Sequence, residues 1–361
     1  MARPPAVAGE PALLEERILT WSQRLHDAHP VSPWLAGAAV FLGLTLAFAA
    51  AEFALGRQSL LIDPTPGSPL LRNVRLAIVM FIGVGFGVAA SLFLVRRERE
   101  SLRTLLPHLQ LPPGEAAELE GAPGRLRRTA LWRAGLIGIA LSLLLPLLAD
   151  PARVLYDPRQ WDPEMYWHRV ILLVLGWWLG RVAALVATQS MRMRALAERL
   201  PELDLFDPAP LRPFAAQVSS HALVVAGVTG VLSLNLLEEN FGQMVAVLAV
   251  MNAGFGALVV LGPLRGLRDR LREAKLRALT WCRGELADAA AALERGPGAS
   301  PDSGRSGRMA DLVAYERRVE SVAEWPFDAG AIRRFGFYLL IPLISWSGGA
   351  LVERMIDSLL D

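Results

Sequence analysis

The chain has 361 residues, 53% of them hydrophobic, a mean hydropathy of +0.35, a formal net charge of +2 and a pI of about 9.0. Soluble domains hold about 45–50% apolar residues; here the excess is gathered into blocks about 20 residues long, enough to cross a hydrocarbon layer about 30 Å thick. The basic residues flank those blocks and share no aromatic-rich face, which excludes a nucleic-acid binder. A single cysteine, Cys282, excludes an intrachain disulfide or a cysteine metal site.

In chain order, residues 1–33 read as a cytoplasmic N-terminal segment. No positively charged region leads into an apolar core there, so no signal peptide is expected. Leu14, Ile18, Trp21 and Leu25 fall on one stripe, which predicts an amphipathic helix over 12–28. Seven apolar blocks follow, at 34–56, 76–95, 131–149, 168–189, 215–237, 243–262 and 335–357. They do not alternate as barrel strands do, so each predicts a membrane helix.

Basic residues concentrate in 96–133, 190–213 and 263–334, with eight, four and fourteen respectively, against three in 57–75, three in 150–169 and none in 238–242. The positive-inside bias places the rich loops and the N-terminus in the cytoplasm. Residues 150–167, with their prolines and with Tyr156, Trp161, Tyr166 and Trp167, read as a loop on the opposite membrane surface. Beyond Pro263, Leu264, Leu267, Leu271, Ala274, Ala278 and Trp281 recur at heptad-like spacing before the phase slips. The Gly/Ser-rich link 296–307 and a second helix over about 308–324 complete a helical hairpin.

Two segment pairs resemble each other. SLRTLLPHLQL (101–111) matches ALAERLPELDL (195–205), aligning Leu102 with Leu196, Pro107 with Pro201 and Leu111 with Leu205. Phe206, Asp207, Leu211, Arg212 and Phe214 match Phe327, Asp328, Ile332, Arg333 and Phe335. The pattern suggests a unit of helix, basic arm and returning helix occurring up to three times in parallel. In the Phe-Asp motif the Asp is expected to cap the coming helix. The arginine is expected to reach lipid phosphate, and the aromatics to sit at the interface.

Intramembrane polar residues are the site candidates, because a charge in hydrocarbon must be paired or hydrated. Arg181 lies past the middle of the fourth block, either as a functional cation or snorkelling to the cytoplasmic interface. His221 ends the polar run QVSSH, as a protonatable group in a pathway or as interhelical glue. Asn252 falls mid-way along the sixth block, and the three together form a candidate polar site. The paired glycines, among them Gly83, Gly85 and Gly87, Gly135 and Gly138, and Gly176 and Gly180, point to close helix packing or to helix breaking in a transporter. Pro342 and Gly348-Gly349 point to a kink in the last block.

No enzyme motif, metal-ligand spacing or cofactor fingerprint is present, so no enzyme, metal or cofactor is expected. Residues 324–354 resemble a closing element of uncharacterised bacterial membrane proteins, which implies no activity.

The expectation is an all-α integral membrane protein of about seven transmembrane helices, N-terminus inside, in a bacterial inner membrane. Residues 34–262 would carry the first six helices, 263–334 a cytoplasmic helical hairpin and 335–361 the last helix. Two functions stand: a scaffold, sensor or assembly factor binding a protein partner or itself through 263–325, or a secondary transporter or channel.

Overall fold

In a computed structural model, the described residues are 17–18, 31–56, 69–109, 111–149, 163–200, 204–207, 209–234, 242–294 and 303–322. Eight α-helices occur among them: α1 (Pro33–Ala54), α2 (Pro69–Leu105), α3 (Pro113–Glu120), α4 (Arg128–Ala149), α5 (Pro163–Glu198), α6 (Arg212–Ser233), α7 (Gly242–Glu294) and α8 (Ser303–Ser321). Among the described residues four stretches are long and apolar enough to cross a membrane, Pro33–Ala54, Leu76–His108, Tyr166–Glu198 and Ala209–Val231. The architecture is that of an all-α membrane protein. Six of the seven apolar blocks lie on helices; the seventh, with Pro342 and Gly348-Gly349, falls outside the described residues.

Three expectations are corrected. Arg17 and Ile18 are extended, not helical: β1 (Arg17–Ile18) pairs antiparallel with β2 (Leu126–Arg127), Arg17 opposite Arg127 and Ile18 opposite Leu126. Backbone pairing across the fold overrides the local 3.6 period there; the rest of 12–28 is outside the described residues. Tyr166 and Trp167 are helical, because α5 starts at Pro163, whose missing N–H costs nothing in a first turn. Trp281 is off the buried seam of α7. That seam runs through Leu267, Leu271, Ala274 and Cys282, leaving Trp281 56% exposed.

The chain divides into two compact units, residues 1–93 with 121–188, and 94–120 with 189–361. In the first unit Phe48, Phe81, Val84, Val88, Ile171 and Trp178 join α1, α2 and α5 in one apolar core. Glycine allows the closest approaches. A Cβ on Gly37 would lie 2.6 Å from the Gly85 carbonyl oxygen, and one on Gly85 2.7 Å from that of Gly37. On α4 and α5, Gly138 faces Gly176 and Ala134 faces Gly180, so the two helices run antiparallel. A Cβ on Gly176 would lie 2.6 Å from the Gly138 oxygen, and one on Gly138 or Gly180 would overlap the facing backbone. The helices continue unbroken through these glycines. Van der Waals contact between backbones is what holds helices together where lipid removes the hydrophobic drive.

In the second unit Leu102, Leu105, Met193, Leu196, Phe214 and Leu267 lead one core drawn from α2, α5, α6 and α7. Leu102 and Leu196 are both in it, and Leu111 and Leu205 both pack against it. The end of α5 is tied down by Arg270 of α7, which donates to the carbonyl oxygens of Ala197 and, at 2.8 Å, Leu200. A cation there meets the otherwise unpaired last carbonyls of a helix. α8 folds back on α7.

Gly138→Leu and Gly180→Leu should each destabilise the protein by at least about 1–3 kcal/mol. Gly43→Leu, where a Cβ meets nothing within 4 Å, should be near neutral. Thermal melting of the detergent-purified protein measures all three.

Candidate functional site

A polar cluster lies inside the second unit, where the end of α2, the end of α5 and the start of α6 meet. Glu98 stands on the α2 face that carries Leu94, Leu102 and Leu105, and is 0% exposed. One carboxylate oxygen pairs with the Arg192 guanidinium, itself mostly covered. The other accepts a hydrogen bond from Gln189 Nε2 at 3.0 Å. The same Gln189 nitrogen lies 3.2 Å from the Leu94 carbonyl oxygen and donates to it.

Those two acceptors determine the remaining polarity. With its nitrogen toward Glu98 and Leu94, Gln189 must present Oε1 to α6. There Gln217 Nε2 donates to it at 2.9 Å. His221 Nε2 sits 3.0 Å from that oxygen and 2.9 Å from Gln217 Nε2, and His221 Nδ1 lies 3.4 Å from Ser190 Oγ. The tautomer sets the roles: with its proton on Nε2 the imidazole donates to Gln189 Oε1, and with its proton on Nδ1 its Nε2 accepts from Gln217 Nε2 while Nδ1–H faces Ser190 Oγ. Gln217 Oε1 has no hydrogen-bond partner among the described residues. Gln189, Gln217 and His221 are each 1% exposed, so their side chains are enclosed by the helices.

The sequence candidates separate. His221 and Gln217 are in this cluster, and Ser220 donates to the Ala216 carbonyl oxygen at 2.9 Å. Ser219, from the same polar run, is exposed. Arg181 belongs to the first unit, and the side chain of Asn252 lies outside the described residues. Arg181 rests over its own helix's indoles, 5.5 Å from the Trp177 ring centroid and 5.7 Å from that of Trp178. Of the Phe-Asp motif, Asp207 accepts from the Ala209 N–H at 2.9 Å, capping the 3-10 turn Ala209–Leu211 that leads into α6. Phe206 packs edge-on against Tyr315 of α8, with Arg318 4.7 Å over its ring. Arg212 is exposed; Phe327, Asp328 and Arg333 are outside the described residues.

Glu98, Gln189, Ser190 and Arg192 escaped the sequence reading. Glu98 sits in the charged run RRERE, which reads as solvated loop. The available signal was helical spacing: Leu94, Glu98, Leu102, Leu105 and Leu109 hold one face through the charges. Among the described residues no group of three or more His, Cys, Asp or Glu side chains is placed to hold a metal ion.

No protein-family model matches this chain, and neither a curated protein nor a solved structure does.

Removing one member of a buried ion pair costs more than the pair contributes. Arg192→Met leaves the enclosed Glu98 carboxylate uncompensated and should cost about 3–5 kcal/mol. Glu98→Gln frees an arginine that can turn toward solvent and should cost about 1–3 kcal/mol. The double variant should lose less than the sum. Chemical denaturation in mixed micelles reads the three values.

Proposed function

We propose that this protein is a membrane-anchored scaffold that displays a helical hairpin to a partner in the cytoplasm. The observation that carries the reading is α7. It runs for 53 residues without a break, through Pro263, from an apolar first half into a charged second half. At 1.5 Å per residue that is about 80 Å, far more than a bilayer core needs. α8 returns along the charged half, which makes an arm.

The arm has its own cohesion. Cys282 and Val319 are fully buried, and the Cys282 thiol donates to the Leu312 carbonyl oxygen at 3.3 Å. Arg283 pairs with Glu316 at 2.8 Å and Glu320 at 3.3 Å, and Arg308 with Glu285 at 2.7 Å. Lys275 donates to the Glu320 and Val322 carbonyl oxygens at 2.7 and 2.9 Å, holding the end of α8. Leu276 and Trp281 are left exposed on this framework and offer apolar contact area to a partner or a second copy. The polar cluster around His221 supports the same reading, because its side chains are enclosed and bonded to one another rather than lining an opening.

Orientation follows from the arginine-rich loops, with the arm and the N-terminus inside, seven spans in all and a bacterial inner membrane as the location.

The test places single cysteines at 189, 217 and 221 in a Cys282→Ser background and treats cells and inverted vesicles with an impermeant maleimide. No labelling until the protein is unfolded is the expected result. Labelling from either side would reveal a hydrated path and transfer the reading to a secondary transporter or channel. A photo-crosslinker at Trp281 should then give one discrete adduct that a probe at exposed Asp288 does not give.

Burial pushes the Cys282 thiol pKa up, and the neighbouring Glu316 carboxylate adds to the rise. The unfolded thiol therefore loses its proton first, and the hairpin should lose stability as pH rises past the ordinary thiol value of 9.0. Circular dichroism melts between pH 7 and 10, with Cys282→Ala as the flat reference, measure this.

A further inference from the structure

We propose that the turn 204–207, ahead of α6, is a latch that holds the α7–α8 hairpin by one ring, Phe206, and releases it without unfolding the leucine core. The turn is built to present that ring. Asp204 Oδ1 accepts from the Phe206 N–H at 2.9 Å, and Asp207 Oδ1 accepts from the Ala209 N–H at 2.9 Å. The Asp207 N–H donates back to the Asp204 carbonyl oxygen at 3.3 Å. Local bonds of this kind fix a turn that has no ladder of its own.

Its two apolar residues go separate ways. Leu205 packs against the leucine core of the second unit. Phe206, the next residue, goes to α8. Its ring meets Tyr315 edge-on at 5.7 Å between centroids, and Arg318, one turn further along α8, sits 4.7 Å over it. Adjacent residues therefore tie the core to the hairpin. Tyr315 carries the row of rings on to Trp281 of α7, 5.9 Å away.

Two holds on the hairpin differ in depth. At the root, Leu267 and Leu271 are buried in the leucine core, and Arg270 donates to the Ala197 and Leu200 carbonyl oxygens of α5. The latch is shallow: Asp204, Asp207 and Arg318 are exposed and Phe206 is half-buried. An exposed cation–π contact and one edge-on ring pair together bias a local equilibrium by only about 5- to 70-fold. The latch therefore opens while the root stays shut. α7 and α8 remain joined through buried Cys282 and Val319, so the hairpin moves as one piece. Opening bares Phe206 and Tyr315 beside the exposed Trp281, one aromatic surface where the closed form covers part of it. That these rings then serve a partner rests on the scaffold reading; the latch itself does not.

Double electron–electron resonance on the full chain tests this, with spin labels at Thr104→Cys on α2 and Asp288→Cys on the hairpin, both exposed positions, in a Cys282→Ser background. One dominant distance is expected. Phe206→Ala should raise the ratio of a second, open distance about 5- to 70-fold. Arg318→Gln, at an exposed residue, should shift it the same way by less, and it serves if the first variant fails to fold. The two together should do no more than Phe206→Ala alone, because the arginine then has no ring to cover. Arg317→Gln, exposed beside it, should change nothing. A distribution unmoved by Phe206→Ala and Arg318→Gln, or moved equally by Arg317→Gln, would overturn the proposal. So would lost hydrogen-exchange protection along 94–105 in the same variants, which would mean that the core unfolds and no latch opens.

Discussion

Backbone hydrogen bonding inside hydrocarbon is the constraint from which the architecture follows. No water is there to satisfy a broken helix, so a segment that enters the apolar layer must stay helical until it leaves. α2 and α5 do not stop after the length needed to cross. They run for 37 and 36 residues, while about 20 suffice. The surplus is amphipathic, with leucines on one face and arginines on the others. It must find burial of its own, and the leucine core of the second unit supplies it. Secondary structure set by an apolar solvent thus carries the same helices on into the leucine core of the second unit.

That extension creates an electrostatic problem at Glu98. A carboxylate enclosed on all sides is tolerable only with a counter-charge and with its lone pairs occupied. Arg192 meets the first need and Gln189 the second. Once Gln189 is committed to Glu98, the orientation of Gln217 and the surroundings of His221 follow. A single buried charge therefore determines the polarity of a hydrogen-bonded chain across three helices. Such a chain, enclosed between helices, ties their packing to one arrangement.

The first unit solves the opposite problem. Its helices carry few charges, and their contacts depend on shape. Gly37 with Gly85, and Gly138 with Gly176, let backbones touch. The contrast between the units is chemical: shape and dispersion in one, paired charge and leucine packing in the other.

Several features were legible in the chain itself. Apolar blocks of the right length announce membrane helices, since hydrocarbon thickness acts on length and composition alone. The bond from the Ala209 N–H to Asp207 Oδ1 spans two residues, and a contact that short is encoded by the local sequence alone. The small-residue pairs announced close packing. Other features needed distant contacts. The pairing of Arg17–Ile18 with Leu126–Arg127 depends on residues more than 100 positions away, so no local period encodes it. Trp281 lies at the edge of its stripe, 56% exposed with its ring edge-on against Tyr315 of α8, and how much of such a ring is covered depends on the facing helix. Glu98 looked like a solvated charge, and only the tertiary structure decided otherwise. Burial is a property of what the rest of the chain places around a residue, and Gln189 and Arg192 lie more than 90 residues from their partner.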